Sequence, residues 1–267
     1  MWQRLRTMRI LVTFAVRAEF SHWRSRHPFV PYEFENWEKR RDFELFRANF
    51  GSNEVTVLLT GMGGENADKA MQTIPIEVHD VCISAGLAGA LELNLKPCDV
   101  VVARTSETRD HELRVESDAI LVDLAVECGA RLVNKSLTSE KIAATADEKQ
   151  EVAARGSVVE METSHVLRAA EKHHVPAVAV RAISDAADED LPVDFGRIMD
   201  FRGHLKYAGL FMEVGLHPYR LFPLIQFAGQ SRAATKSLAD FLDRFVSAIA
   251  AKGSCVRSRD VEEVSAT

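Results

Sequence analysis

Short runs of apolar, mostly β-branched residues recur along the chain at intervals typical of buried strands. Runs that are this short and apolar at nearly every position indicate strands covered on both faces, as in parallel sheets packed between helices. The predicted strands are Ile10–Val16, Val55–Thr60, Val81–Ser84, Val100–Ala103, Arg131–Asn134, Val158–Met161 and Val178–Ile183.

Segments with the period of a helix lie between several of these strands. They are Glu65–Gln72, Ala119–Cys128, Asp147–Arg155 and Thr163–His174. The last is expected to end before Pro176, because proline has no amide hydrogen and clashes with the preceding turn. Alternating strands and helices predict an α/β fold whose mostly parallel sheet is covered by helices.

The C-terminal third departs from this alternation. Residues 188–199 are acidic and contain proline, which predicts a loop or short helix. Residues 203–216 and 219–229 predict apolar helices joined at His217-Pro218. Residues 232–250 place leucine, phenylalanine and isoleucine on one face of an amphipathic helix.

No composition shift, repeat or linker marks a boundary between domains. We therefore expect one domain over residues 8–250, with flexible termini at 1–7 and 253–267. The chain has 267 residues, of which 46% are hydrophobic, and this suits a domain with a sizeable core.

Charge and cysteine usage narrow the class of protein. The formal net charge is −6, which gives no reason to expect a nucleic-acid partner. No apolar run reaches the ~18–20 residues of a membrane span, and the N-terminus lacks the pattern of a signal peptide. None of the four cysteines forms a C-x-x-C pair, so free thiols and a cytoplasmic location are expected. The histidines show no metal-binding spacing, and no metal site is expected.

The first candidate for chemistry is Glu19, just beyond the first predicted strand. Ligands of open α/β sheets bind beyond the carboxyl ends of the strands, where a carboxylate can activate water. The alternative is a carboxylate in the first turn of a helix, facing solvent and favoured by the helix dipole.

Two glycine-containing segments follow predicted strands, Gly61–Gly64 and Ser84–Ala90. Glycines let the backbone pass close to a ligand, but tight turns between strand and helix explain them equally well. Neither segment fits G-x-G-x-x-G or a P-loop, so no nucleotide cofactor is expected.

Two further candidates end predicted strands. Glu160 and Glu162 follow Val158-Val159, where a carboxylate can accept two hydrogen bonds from vicinal hydroxyls such as those of ribose. The alternatives are a structural salt bridge for Glu160 and a helix-terminal charge for Glu162. Ser184-Asp185 ends the strand Val178–Ile183, where an aspartate can bond and protonate a purine ring nitrogen; the alternative is a helix N-cap pair.

These segments together resemble a known family. Glu160–Thr163 looks like the V-E-M-E-A motif of 5′-methylthioadenosine/S-adenosylhomocysteine nucleosidases, and Val180–Asp188 like their V-R-A-I-S-D-x-A-D motif. Ile83–Leu91 is similar to their I-N-T-G-x-A-G-G-L turn, and Arg9–Phe20 to their first strand and catalytic glutamate. The order is kept over roughly residues 8–190. The chain is identified as a member of the purine nucleoside phosphorylase and nucleosidase superfamily.

The resemblance implies a three-layer α/β fold, with a central mixed, mostly parallel sheet flanked by helices. It also implies roles for individual residues. Glu19 would hold and deprotonate the attacking water, and Glu162 would bind the ribose hydroxyls with Met161 against the sugar. Asp185 would hydrogen-bond the purine and protonate N7, oriented by Ser184.

Further residues are implied to support or line the site. Arg181 and Glu160 would hold the catalytic side chains without touching the substrate. Ala85 and Gly86, from the glycine-rich segment, and Ile142 and Ala143, near the family's purine-stacking segment, would contact substrate. The sequence departs from the family's pattern here, because no phenylalanine lies near Ile142 and the turn carries a leucine.

The C-terminal region looks like that of hopanoid-associated members of the superfamily, notably at Gly215–Phe222. Its apolar residues predict either a lid over a bulky 5′ substituent or a subunit interface. The resemblance also implies a homo-oligomer, most often a dimer.

We therefore expect hydrolysis of a 5′-modified adenine nucleoside, without cofactor. A phosphate-dependent phosphorylase is the enzymatic rival, with Arg17 and Arg104 as candidate anion ligands. A nucleoside-binding protein without turnover is the non-enzymatic rival, and the joint presence of Glu19, Glu162 and Asp185 argues against it.

Overall fold

The computed structural model describes residues 7–33, 43–193, 202 and 221–265. The strands in this part are β1 (Arg9–Phe14), β2 (Val30–Pro31), β3 (Glu44–Phe50), β4 (Asn53–Leu59), β5 (Val81–Ala90), β6 (Val100–Thr108), β7 (Arg114–Glu116), β8 (Arg131–Thr138), β9 (Val158–Glu160) and β10 (Ala177–Asp185). The α-helices are α1 (Arg17–Arg26), α2 (Gly64–Met71), α3 (Ala119–Glu127), α4 (Ala146–Val152), α5 (Thr163–Lys172) and α6 (Leu221–Ser265). Short 3₁₀ helices cover Ile76–Val78 and Ala153–Arg155.

All ten strands belong to one mixed sheet, in the order β10-β6-β8-β9-β5-β1-β4-β3-β2, with β7 beside β6. Strand β10 also pairs with β5, in parallel, so β5, β10, β6, β8 and β9 form a closed ring. Strands β1 and β4 extend the sheet in parallel from β5, and β3 and β2 continue it antiparallel. The sheet thus combines a barrel-like half with an open half.

Helices cover both faces of the open half, and the strand residues alternate between them. Ile10 and Val12 of β1 belong to an apolar cluster with residues of α1, α3 and α6. Leu11, between them, belongs to a second cluster with residues of α2 and α5. The two clusters are the layers of core above and below the sheet, which confirms the predicted three-layer α/β architecture.

The structure changes several predicted element bounds. Strand β5 runs on through Ala90, so the predicted glycine-rich turn after Ser84 is wrong. Gly86 and Gly89 fit this strand because a carboxylate lies close to each of them, where any side chain would meet it. Strand β3 was not predicted, because it alternates buried and less buried residues instead of forming an apolar run.

The long C-terminal helix α6 joins two segments predicted separately, residues 219–229 (from Leu221 on) and 232–250. Phe241, Leu242 and Phe245 are fully buried against the sheet, as their spacing predicted. The predicted helix at 203–216, the second half of the loop at 188–199 and most of Gly215–Phe222 lie outside the described residues, and flexible termini stay a prediction. Across the described ranges, no helix is long and apolar enough to cross a bilayer.

Candidate active site

The side chains predicted for catalysis come together where β1, β9 and β10 end beside the second half of β5. Glu19 lies in the first turn of α1, which follows β1, and Glu162 is the N-cap residue of α5, which follows β9. Asp185 is the last residue of β10. The fold therefore places three carboxylates from distant parts of the chain around one point of the sheet.

Glu19 is half-buried and held by backbone amides. Its Oε2 accepts hydrogen bonds from Ala15 N (3.0 Å) and Val16 N (3.3 Å), and its Oε1 accepts one from Leu87 N at 2.8 Å. Burial raises the pKa of the Glu19 carboxyl above its ordinary value, against the opposing effect of these hydrogen bonds and of Arg181. The bond from Val16 caps the helix, but the side chain turns toward β5 rather than solvent, so the surface-carboxylate alternative is wrong.

Gly86 on β5 makes room for this carboxylate. A Cβ at position 86 would lie 2.9 Å from Glu19 Oε1. Within a strand, glycine is favoured where another group approaches the backbone closely. Gly86 thus shapes the site, and its predicted contact with a substrate remains a prediction.

Glu160 and Arg181 form a buried ion pair beneath the site. Arg181 Nη2 lies 2.9 Å from Glu160 Oε2 and also donates to Thr163 Oγ1, at 2.6 Å. Glu160 accepts further bonds from Glu162 N and from Thr138 Oγ1. Burial alone would raise the pKa of Glu160, but Arg181 and these donors hold it below its usual value.

This pair confirms the salt-bridge interpretation of Glu160. Arg181 also donates to the carbonyl and hydroxyl of Ser84, which ties β10 to β5. The predicted supporting role of both residues therefore has a structural basis: they orient the start of α5, where Glu162 lies.

Glu162 differs from Glu160, although only one residue separates them. Its side chain is half-buried, and the contact found for it is a hydrogen bond from Gly63 N to Oε1, at 2.7 Å. Burial, and then the charges of Glu160 and Glu19, raise its pKa to about 8. The side chain does not cap its own helix, which disfavours the helix-terminal alternative.

Gly63, which holds Glu162, belongs to the turn between β4 and α2. Gly61 and Gly63 have φ of 78° and 89°, a left-handed region that favours glycine. This turn is the glycine segment whose role the sequence left open. It is both a tight turn and a part of the site.

Asp185 is buried and bound at both oxygens. Ser184 Oγ donates to Oδ1 at 2.5 Å, and Lys149 Nζ lies 2.6 Å from Oδ2. A Cβ at Gly89 would lie 2.9 Å from Oδ2, so this glycine also makes room for a carboxylate. A turn rather than a helix follows Asp185, so the N-cap alternative is wrong.

The remaining predicted substrate contacts are less central. Met161 is half-buried and, with Met62 and Gly63, lines a cavity of about 960 Å³. Ala85 packs inside the main core cluster, and Ala143 packs against the cluster that contains Leu91 and Leu137. Ile142 is half-buried beside it. The contacts of these residues with a substrate stay predictions.

One residue of the site, Lys149, was missed from the sequence, whereas Met62 and Gly63 belong to the segment Gly61–Gly64, whose role the sequence left open. Lys149 was not expected, because lysine is rarely buried. A signal existed, since Val152 lies three residues further along α4 and both are on its buried face.

The arginines considered for a phosphate site lie elsewhere. Arg17 forms an ion pair with Glu44 and is largely exposed. Arg104 is also exposed, on β6. The buried arginine of the site, Arg181, is paired with Glu160.

Comparison with known proteins extends these observations. The model of the phosphorylase superfamily matches residues 9–205. A 5′-methylthioadenosine/S-adenosylhomocysteine nucleosidase of Bacillus thuringiensis subsp. konkukian (strain 97-27) is 28% identical over 189 aligned residues, which cover 59% of this chain and 79% of the relative.

Solved structures share the fold. The 5′-methylthioadenosine/S-adenosylhomocysteine nucleosidase of Helicobacter pylori, with butyl-thio-DADMe-Immucillin-A, superposes with a TM-score of 0.67 at 19% identity, covering 90% of this chain and 98% of that chain. The native futalosine hydrolase of Helicobacter pylori strain 26695 gives a TM-score of 0.67 at 18% identity, with 90% and 98% covered.

Proposed function

The chain belongs to the phosphorylase superfamily, and on that premise we propose that it hydrolyses the N-glycosidic bond of a 5′-modified adenine nucleoside. The products are free adenine and the 5′-modified ribose. The observation that carries this proposal is the environment of Glu19: a half-buried carboxylate just beyond the end of β1, bound by three backbone amides and close enough to Glu162 for its charge to raise the pKa of that residue.

Glu19 is the base that activates water. Burial raises its pKa, and a base is most effective when its pKa is close to the working pH. The water loses a proton to Glu19 as its oxygen attacks C1′ of the ribose. General base catalysis of this kind contributes about 10²–10⁴-fold to the rate.

Glu162 holds the sugar. An ionised carboxylate accepts hydrogen bonds from the 2′- and 3′-hydroxyls together. These bonds stabilise the negative charge of Glu162, which burial disfavours. The two hydroxyls also help to keep Glu162 ionised, because donors to a carboxylate lower its pKa. Met161 lies beside it and would contact the apolar face of the ribose.

Asp185 recognises the base. It would hydrogen-bond N7 and pass a proton to it as the bond between C1′ and N9 breaks. Protonation removes the negative charge that otherwise builds up on the departing purine. Ser184, bonded to Oδ1, orients the carboxylate.

The same observation disfavours the phosphorylase alternative. Backbone amides beside a glycine-rich segment are natural ligands for phosphate. Here the amides of Ala15, Val16 and Leu87 are bound to the Glu19 carboxylate, which would repel an incoming anion. Arg17, one of the arginines considered for phosphate, is paired with Glu44.

The 5′ substituent is the open part of the substrate. The names of the relatives point to methylthioadenosine and S-adenosylhomocysteine. The cavity of about 960 Å³ beside Met161 and Gly63 offers room for such a group. A hopanoid-type substituent remains the alternative suggested by Gly215–Phe222.

The test is a product screen. Methylthioadenosine, S-adenosylhomocysteine, 5′-deoxyadenosine, inosine and futalosine are each incubated with the protein, with and without phosphate, and free base is measured. We expect adenine release from the 5′-modified adenosines without phosphate. Strict dependence on phosphate would replace the hydrolase with a phosphorylase, and tight binding without base release would favour the non-enzymatic alternative.

We also propose that the chain forms a homodimer and acts in the cytoplasm, as the resemblance implies. Light scattering at the enzyme concentrations used for assay measures the mass of the particle and so checks the homodimer. A mass of one chain that persists at full activity would contradict it.

A further inference from the structure

Lys149 is a buried ammonium group with all of its hydrogens in use. Its side chain is 1% exposed. Nζ lies 2.6 Å from Asp185 Oδ2 and donates to the carbonyl oxygens of Ala186, at 2.7 Å, and Glu189, at 2.6 Å. An ammonium group has three N–H donors, so the three acceptors satisfy it completely. The fold has thus built a dedicated site for a charged lysine.

This lysine changes what Asp185 can do on its own. Both oxygens of Asp185 accept hydrogen bonds, from Ser184 and from Lys149. With a donor aimed at each oxygen, Asp185 holds no spare proton of its own for a purine nitrogen. The proton needed at N7 must come from another group.

We propose that Lys149 is the source of that proton and delivers it through Asp185. This inference rests on the proposed nucleoside hydrolysis. As the C1′–N9 bond breaks, its electron pair goes to the purine, and a proton moves from Lys149 Nζ to Asp185 Oδ2 and from there to N7. Lys149 ends as a neutral amine, Asp185 as the same carboxylate and the base as neutral adenine. Solvent reprotonates the amine after product leaves.

The other charged groups around Lys149 have partners of their own. Glu189 Oε2 accepts bonds from Ala186 N and from Gln230 Nε2. Asp190 Oδ1 accepts from Ala146 N, and Glu148 caps the start of α4. Among the described residues, Asp185 is therefore the acidic side chain that Lys149 contacts.

A purely structural role is the competing explanation. Lys149 binds two carbonyls of the segment that follows β10, and it could simply clamp this segment in place. A clamp and a proton source differ in one respect. If Lys149 supplies a proton, replacing it slows the departure of a leaving group that requires a proton more than that of one that does not. If Lys149 is only a clamp, replacing it slows both to the same extent.

The test compares two leaving groups in two variants. One substrate is the adenine nucleoside that the wild-type chain cleaves best; the other is 4-nitrophenyl β-D-riboside, whose phenolate departs without protonation. Lys149→Arg keeps a positive charge but cannot release a proton, because arginine stays protonated in proteins. Lys149→Met removes both the positive charge and the transferable proton. Lys172→Met, at an exposed position of α5, is the matched control.

We expect both Lys149 variants to lose about 10²–10⁴-fold in kcat on the nucleoside but less than about tenfold on the nitrophenyl riboside. Lys172→Met should match the wild type on both. If Lys149→Met does not fold, Lys149→Arg alone decides. Recovery of nucleoside cleavage by arginine, or an equal loss on both substrates, would overturn the proton source. A wild-type chain that releases base from no nucleoside would instead contradict the proposed function.

Discussion

The two ends of the site hold their carboxylates in different ways: the proposed water and sugar end has Glu19 and Glu162, and the proposed base end has Asp185. Glu19 and Glu162 are bound by backbone amides, and burial raises the pKa of both. Asp185, at the base end, faces the ammonium group of Lys149. At the first end burial favours the protonated form of both carboxyl groups, whereas at the second the carboxylate has a cation beside it. The contrast shows that the group bound to a carboxylate, a backbone amide or an ammonium group, sets its charge state and chemistry more than the residue type does.

The largest expected effect comes from neutralising the amide-bound end. Glu19→Gln keeps the size of the side chain but removes the base, so kcat should fall about 10²–10⁴-fold. No cation is left without a partner, but the glutamine NH2 replaces an oxygen that accepts from a backbone N–H, so the free energy of unfolding should fall by about 1–2 kcal/mol. Steady-state kinetics and urea unfolding check the two values. Full activity in this variant would remove Glu19 from the mechanism.

The same substitution at the compensated end should behave differently. Asp185→Asn leaves the Lys149 ammonium buried without its carboxylate, and breaking buried pairs costs about 3–5 kcal/mol. We expect a loss near the lower limit, because the amide oxygen still accepts a hydrogen bond. Urea unfolding measures it, with Glu19→Gln as the matched control. Equal stability of the two variants would break the comparison between the ends.

The third prediction concerns pH. The pKa of Glu162 is raised from its ordinary 4.5 to about 8, so the folded chain binds this proton more tightly than the unfolded chain. The resulting stability is present in full below pH 4.5 and is lost as pH rises to about 8. Sugar binding needs the ionised form, so kcat/KM should rise over the same interval, by about tenfold per pH unit well below the pKa.

Glu162→Gln separates this effect from other titrations. The side chain at position 162 cannot ionise in this variant. The dependence of stability on pH and the dependence of kcat/KM on pH should therefore both flatten between pH 5 and 8. Thermal unfolding and kcat/KM are measured across that range. Slopes that persist in the variant would assign them to another group.

The smallest effects should come from the two strand glycines. An alanine Cβ would lie 2.9 Å from Glu19 Oε1 at Gly86 and 2.9 Å from Asp185 Oδ2 at Gly89. Gly86→Ala displaces an amide-bound carboxylate by a few tenths of an ångström, which costs on the order of tenfold in kcat. Gly89→Ala presses on a side chain that Lys149 holds in place, so it should lower the melting temperature more. The reverse order would mean that Asp185 is the more mobile group.

Much of this arrangement was predictable from the sequence. Apolar runs located β1, β9 and β10, whose ends are followed by or carry Glu19, Glu162 and Asp185. Strands β1 and β10 run parallel to β5 and bring their carboxyl ends to one edge of the sheet, whereas β9 runs antiparallel to β5 and carries Glu162 along the second half of β5. A salt bridge was one of the two interpretations offered for Glu160, although its partner Arg181 was not identified. These features depend on local patterns, which a single sequence contains.

Other features depend on contacts between distant segments. The extension of β5 through Gly86 and Gly89 follows from two carboxylates that approach it from α1 and β10, and its local sequence resembles a turn. Lys149 lies on a polar helix, and its burial is decided by the carbonyls of Ala186 and Glu189. Contacts between residues that far apart in the chain produce no periodic pattern of apolar and polar positions in the sequence.

The closed ring of strands has a consequence for how the protein folds. Strand β10 completes the ring by pairing with β5 and β6, and Arg181 on β10 bonds Ser84, 97 positions earlier in the chain. Closing so long a loop is costly in chain entropy, and pairings of this kind form late and slowly. Because the same strand carries Asp185, the last step of ring closure also assembles the site. Recovery of activity during refolding should therefore follow the slowest phase and lag behind the formation of helices.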